Sequence, residues 1–147
     1  MGEAFVWGHA EGFALLDYLC VPIARRNSGI GSLLIRELLE AEKGSVVFVE
    51  SEIPEFASDP ELAERRLAFY RRSGAYPAGY DSCIFGVPYH IYRWAGPDAD
   101  GKAVSDANAA CYRSAFPQLL CERYIQIPWE PSMGAPKAVP WGGEQAE

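Results

Sequence analysis

Leu15–Leu39 reads LLDYLCVPIARRNSGIGSLLIRELL: an apolar run, two arginines, a Gly-x-Gly turn and an amphipathic run. The first part, continuing from Phe13 and closing at Val21-Pro22, has the character of a buried strand, because Pro22 cannot donate to a ladder and belongs at a strand end. From Ser28 the spacing changes. Ile30, Leu34, Leu38 and Ala41 recur at helical intervals with Leu33 and Leu39 beside them, which predicts a helix that buries one face. Gly29 and Gly31 lie between the two and lack Cβ, so an anionic group can approach the backbone closely. The first amides of the helix have no intrahelical partner, and its dipole adds partial positive charge there. Strand, basic glycine-rich turn and helix start together predict an anion cradle. A second reading of the same turn is a tightly packed strand–helix corner, with Arg25 and Arg26 solvated.

The spacing excludes the two common nucleotide motifs. A dinucleotide turn needs a third glycine at position 34, which is Leu, and no Gly-Lys-Ser/Thr of a P-loop occurs in the chain. Arg26-Asn27-Ser28-Gly29-Ile30-Gly31, five residues beyond Val21, instead resembles the acyl-CoA motif R/Q-x-x-G-x-G/A of the GCN5-related N-acetyltransferases (GNAT). The resemblance covers about residues 13–94. It implies that the amides of Arg26, Asn27, Ser28, Gly29, Ile30, Gly31 and Ser32 hold the cofactor's pyrophosphate. It also implies that the backbone of Leu19, Cys20 and Val21 pairs with the pantetheine arm of acetyl-CoA.

The chain has 147 residues, enough for one domain with its own core, and 49% of them are hydrophobic, which argues against disorder. A net charge of −7 speaks against a nucleic-acid partner and mildly favours amine-bearing substrates. The four cysteines form no C-x-x-C, and Cys20 reads as a small core hydrophobe. Two isolated histidines, His9 and His90, are too few for a His-based metal site, so no metal is expected. No cationic leader precedes Glu3 and no apolar run approaches spanning length, so a cytoplasmic protein with reduced thiols and no membrane partner is expected.

Along the chain, Glu3–Trp7 reads as a brief strand in a hairpin with Phe13–Val21, and Gly44 as the C′ residue ending the first helix. Ser45–Glu52, SVVFVESE, reads as a buried strand parallel to the first, placing Glu50 and Glu52 on one face near its C-terminal end. Ligands of parallel sheets gather at such ends, so both carboxylates are candidates for chemistry or solvated charges at a strand end. A second helix starts at Ser58 or Asp59, buries Ala63, Leu67 and Tyr70, and closes at Gly74. After a break at Pro77–Gly79, Tyr80–Phe85 and Pro88–Trp94 read as two further strands. Then come a polar loop over Gly96–Lys102, a short helix over Val104–Phe116 and an extended Arg123–Trp129. The expected architecture is a mixed α/β (α+β) sheet with a strand–helix–strand–helix–strand–strand core and a C-terminal extension. Residues 1–130 would form a single domain, and residues 131–147 a loosely ordered tail or one docked by Trp141.

Tyr70 by itself is either a core tyrosine or a proton donor. The GNAT resemblance implies the latter. Family members often carry a Tyr followed after three residues by Gly-Phe, and here Tyr70-Arg71-Arg72-Ser73-Gly74-Ala75 keeps the Tyr and Gly but has Ala75 for Phe. Many members also have Asn seven residues before that Tyr, where this chain has Ala63. In the implied reaction Tyr70 protonates the departing CoA thiolate, while Glu50 or Glu52 removes the ammonium proton of a small-molecule or peptide amine. The family further implies three strands and two helices before the cradle strand. Little more than one short strand precedes Phe13 here, so the expectation is an N-terminally shortened member: either the gene is truncated, or a second copy in a homodimer or the C-terminal segment completes the acceptor wall. Two other readings stand beside the enzyme: an acyl-CoA-binding or sensing domain without catalysis, and a structural α/β module.

Overall fold

A computed structural model describes residues 3–20 and 29–134, with the backbone alone for residues 3–5, 7 and 17–20. Two strands, β1 (Glu3–Ala10) and β2 (Phe13–Cys20), form a hairpin and lead to helix α1 (Ile30–Ala41), then β3 (Val46–Glu52) and helix α2 (Pro60–Arg72). Strands β4 (Tyr76–Ile84) and β5 (Val87–Arg93) follow, then helices α3 (Gly101–Ala115) and α4 (Gln118–Tyr124) and strand β6 (Ile125–Trp129). The six strands form one mixed sheet in the order β1-β2-β3-β5-β4-β6. Only β2 and β3 are parallel; every other neighbouring pair is antiparallel.

The core β2-α1-β3-α2-β4-β5 has the strand–helix–strand–helix–strand–strand order that the hydrophobic spacing predicts, and α3-α4-β6 form the C-terminal extension. Side chains alternate across β2 and β3, so each face of the sheet acquires its own apolar layer. Ala14, Leu16, Val47 and Val49 pack with Ile35 of α1 and Leu67 and Tyr70 of α2. Leu15, Val46, Phe48 and Ile91 pack on the other face with Val104 and Cys111 of α3. Gly8 permits the close approach of α3, since a Cβ there would stand 3.0 Å from Cys111 Cβ.

Local chemistry sets the element ends. Of the two starts that the sequence allows for α2, Asp59 is the cap: its carboxylate accepts the Leu62 amide at 3.1 Å, and Pro60 takes the first turn. Asp100 does the same for the Ala103 amide, which starts α3 at Gly101 rather than at Val104. β4 begins at Tyr76, four residues before the expected start. The Pro77–Gly79 break is absorbed within the strand as a register shift, with Gly79 at φ 98°. α1 is capped at Glu42, and Gly44 adopts φ 93° two residues later rather than as the C′ residue. Residues Gln118–Tyr124 are helical after Pro117, so the expected extended segment begins at Ile125 instead of Arg123; seven residues are too few to display a helical period. Pro131–Met133 forms a 3₁₀ turn, and the rest of the expected tail from residue 135, Trp141 included, lies outside the described residues. No helix among the described residues is long and apolar enough to cross a membrane.

Candidate functional site

Two features of the β2-α1-β3 unit bear on the expected cradle. Val21 and Arg26–Ser28 of the expected cradle lie outside the described residues. Leu19 and Cys20 lie at the end of β2, where their backbone pairs with Ala4 and Glu3 of β1. Gly29 stands at the N-cap of α1 in the left-handed region, φ 85°, a conformation that disfavours a side chain. Among the described residues, nothing lies within 4 Å of where its Cβ would be. Ile30, Gly31 and Ser32 form the first turn of α1, which has neither a side-chain cap nor an acidic residue. Amides at such a helix start attract an anion, so these residues fit a phosphate-bearing group.

The second feature is where β2 and β3 stop pairing. Among the described residues the parallel ladder runs from Phe13↔Val46 to Leu16↔Val49. Beyond it β2 continues on β1, while Glu50, Ser51 and Glu52 continue on β5 opposite Ile91, His90 and Tyr89. A cavity of about 80 Å³ sits at this point, lined by Leu15, Leu16, Glu50, Tyr89 and Tyr112. Glu50 lies on the α3 face, and its Oε1 accepts the Tyr112 hydroxyl at 2.8 Å. Close by, the fully buried Asn108 donates from Nδ2 to the Tyr80 hydroxyl at 3.0 Å. Burial pushes the Tyr80 phenol well up, with the Asn108 hydrogen bond opposing and the Glu50 charge adding to the rise. Glu52 shares the Glu50 face by strand alternation and is half-buried.

Tyr70 belongs to the opposite layer. Its ring meets Trp94 edge-on at 5.9 Å, and Trp94 Nε1 in turn donates to Ser73 Oγ at 3.1 Å, so the α2 end and the β5 end hold the ring together. The Tyr70 hydroxyl makes no hydrogen bond among the described residues. Burial pushes its pKa up, partly offset by the Arg66 charge, and so keeps the phenol protonated and able to donate. Glu50 and Tyr70 thus approach from opposite faces of the sheet, and the structure does not bring them into contact. Sequence reasoning missed Tyr112, whose partner is 62 positions away and which carries no local signal. It also missed a polar row across three strands on the Tyr70 face. There, His90 Nδ1 donates to Asp81 Oδ1 at 2.8 Å, and Ser51, in register beside His90, buries a hydroxyl with no partner among the described residues.

No protein-family model matches the sequence, and neither does any curated protein. Solved structures similar to this chain include three acetyltransferases. One is an N-acetyltransferase from Staphylococcus aureus Mu50, 19% identical over 58% of this chain and 42% of that one, with a TM-score of 0.47. A protein from Desulfovibrio desulfuricans assigned to the GNAT acetyltransferases is 25% identical over 57% of this chain and 52% of its own, with a TM-score of 0.44. Another assigned to that family, from Bacteroides thetaiotaomicron, is 24% identical over 67% of this chain and 56% of its own, with a TM-score of 0.50. The chain therefore spans only about half the length of the structures it resembles. The fold likeness rests on the third of these, together with the order of strands and helices around the β2-α1-β3 unit: this chain has the fold of the GNAT acetyltransferases.

Proposed function

We propose that the chain is an acetyl-CoA-dependent N-acetyltransferase that transfers acetyl directly to a primary amine of a small molecule or peptide. One observation carries the reading: the parallel ladder of β2 and β3 ends at Leu16↔Val49, and the helix between these strands starts with an αL glycine that, among the described residues, has no side-chain cap and no acidic neighbour in the first turn. The cofactor's pyrophosphate would lie on the amides of Arg26–Ser32, and its arm would run along the backbone of Leu19, Cys20 and Val21. When bound, acetyl-CoA supplies an acetyl group on a thioester, whose C–S bond is exchanged for a bond to the amine nitrogen. Glu50 takes the proton that the amine loses, from the α3 face, where the Tyr112 hydroxyl orients its carboxylate. Glu52, two residues on, adds negative charge that draws a cationic amine to the strand ends. Tyr70, kept protonated by burial, gives the sulfur its proton from the α2 face. A direct transfer needs no covalent enzyme intermediate, so no cysteine nucleophile is invoked.

Calorimetry of the chain with acetyl-CoA tests the reading. Wild-type protein is expected to bind, and Gly29→Val to bind at least about tenfold more weakly, because a β-branched residue in the left-handed region displaces the amides that face the anion. Absence of binding at millimolar acetyl-CoA would remove the proposal. Binding without thiol release against a panel of amines would leave an acyl-CoA-binding domain.

A further inference from the structure

Tyr112 forms a wall of two cavities at once. On one side is the small gap at the parting of β2 and β3, where its hydroxyl meets Glu50. On the other is a cavity of about 500 Å³ between α3, α4 and β6, within the size range of sites that enclose a small organic molecule. Ile125, Ile127 and Ala109 give this cavity apolar walls. Two charges line it. Glu122 is engaged by Gln118, whose Nε2 donates to its Oε1 at 2.8 Å. Arg113, the neighbour of Tyr112 on α3, has no ion-pair or hydrogen-bond partner among the described residues. An uncommitted guanidinium matches the planar fork of a carboxylate better than any neutral group.

We infer that the cavity built by the C-terminal extension is the acceptor site, and that its occupant is an amino acid with an apolar side chain and a free carboxylate. The inference rests on the acetyltransferase reading and names the amine. Arg113 pairs with the carboxylate, Ile125 and Ile127 receive the side chain, and the amine faces the Tyr112 hydroxyl and, through the shared wall, Glu50. Glu122 makes the cavity unfavourable for a dianion and tolerable for a zwitterion. α3, α4 and β6 supply the groups that hold the carboxylate and the side chain, and β3 supplies Glu50.

The test is calorimetric titration of the full chain with L-leucine, L-leucinamide and spermidine, with and without acetyl-CoA. Leucine is expected to bind about tenfold tighter than leucinamide, a difference set by its pairing with Arg113. Arg113→Gln, an exposed substitution, should bring leucine down to the leucinamide level while leaving acetyl-CoA affinity unchanged. Ala109→Phe should fill the cavity and weaken both. Equal binding of leucinamide, preferred binding of spermidine, or an Arg113→Gln variant with unchanged leucine affinity would overturn the assignment. So would a protein that binds acetyl-CoA and none of the three probes. Leucine binding by a chain that does not bind acetyl-CoA would instead keep the cavity assignment and remove the acetyltransferase reading.

Discussion

Glu50 and Tyr112 illustrate what a single contact decides. A carboxylate at a strand end can point into solvent, but a 2.8 Å hydrogen bond from a half-buried phenol holds this one at the mouth of the gap between β2 and β3. Hydrogen bonds to charged groups are worth more than neutral ones, so Tyr112→Phe should lower stability by about 1–2 kcal/mol. In the proposed reaction it should also lower kcat with little change in acetyl-CoA affinity. Denaturation midpoints and steady-state kinetics measure the two effects separately. A fall in KM alone would place Tyr112 outside the reaction.

Buried phenols and thiols give the molecule an alkaline limit. Burial raises Tyr70 and Tyr80 above their ordinary value of 10.0, and Cys83 and Cys111 above 9.0. Each therefore holds its proton more tightly folded than unfolded. Their contribution is complete below the unfolded values and is lost as pH rises toward the folded ones. The urea midpoint should be flat with respect to these groups up to about pH 9 and decline above it, more steeply beyond about pH 10. Tyr80→Phe should flatten the upper part of that decline. A midpoint constant to pH 11 would contradict the burial of these groups.

Among the elements, helix starts are where short sequence signals have the clearest structural effect. Asp59 and Asp100 each accept an amide of the first turn of their helix, at 3.1 and 2.8 Å. Asp59→Ala should cost about 1 kcal/mol, read from the shift in unfolding midpoint. The same substitution should leave acetyl-CoA binding intact, since Asp59 is not among the residues proposed to hold the cofactor. α1, like the short α4, has no such side-chain cap. What sets the α1 start apart is the left-handed glycine at its N-cap, and in the proposed reading the amides that follow it face the cofactor's pyrophosphate.

At the scale of the molecule, the extension α3-α4-β6 changes what the sheet is. Without α3, the face carrying Leu15, Val46, Phe48 and Ile91 would be open; with it, that face is a second core layer and the site acquires an upper wall. The approach is tight at Gly101, where a Cβ would stand 2.7 Å from the Ala78 carbonyl oxygen. In a helix Ala is otherwise the better residue, by about 1 kcal/mol. Here the clash with backbone should dominate, and Gly101→Ala should destabilise by about 1–3 kcal/mol. A stabilised variant would show that α3 sits further from β4 than 2.7 Å implies.

The sequence by itself determined the β2-α1-β3 unit, because strand and helix periods in Leu15–Leu39 and Ser45–Glu52 are set by neighbours a few residues apart. It also determined the buried stripe of Ala63, Leu67 and Tyr70, and the glycine at the start of α1, which are local in the same sense. The tertiary structure alone decided that Glu50 and Tyr70 lie on opposite faces of the sheet, that Tyr112 meets Glu50 across 62 positions, and that a cavity forms under α3. The short α4 and the displaced start of β4 also lay beyond the sequence, since seven residues show too little period and a glycine bulge looks like a break. The physical reason is common to all of these. Periodicity reports which face of an element is apolar, whereas a site depends on which faces meet, and that is settled only when distant elements pack.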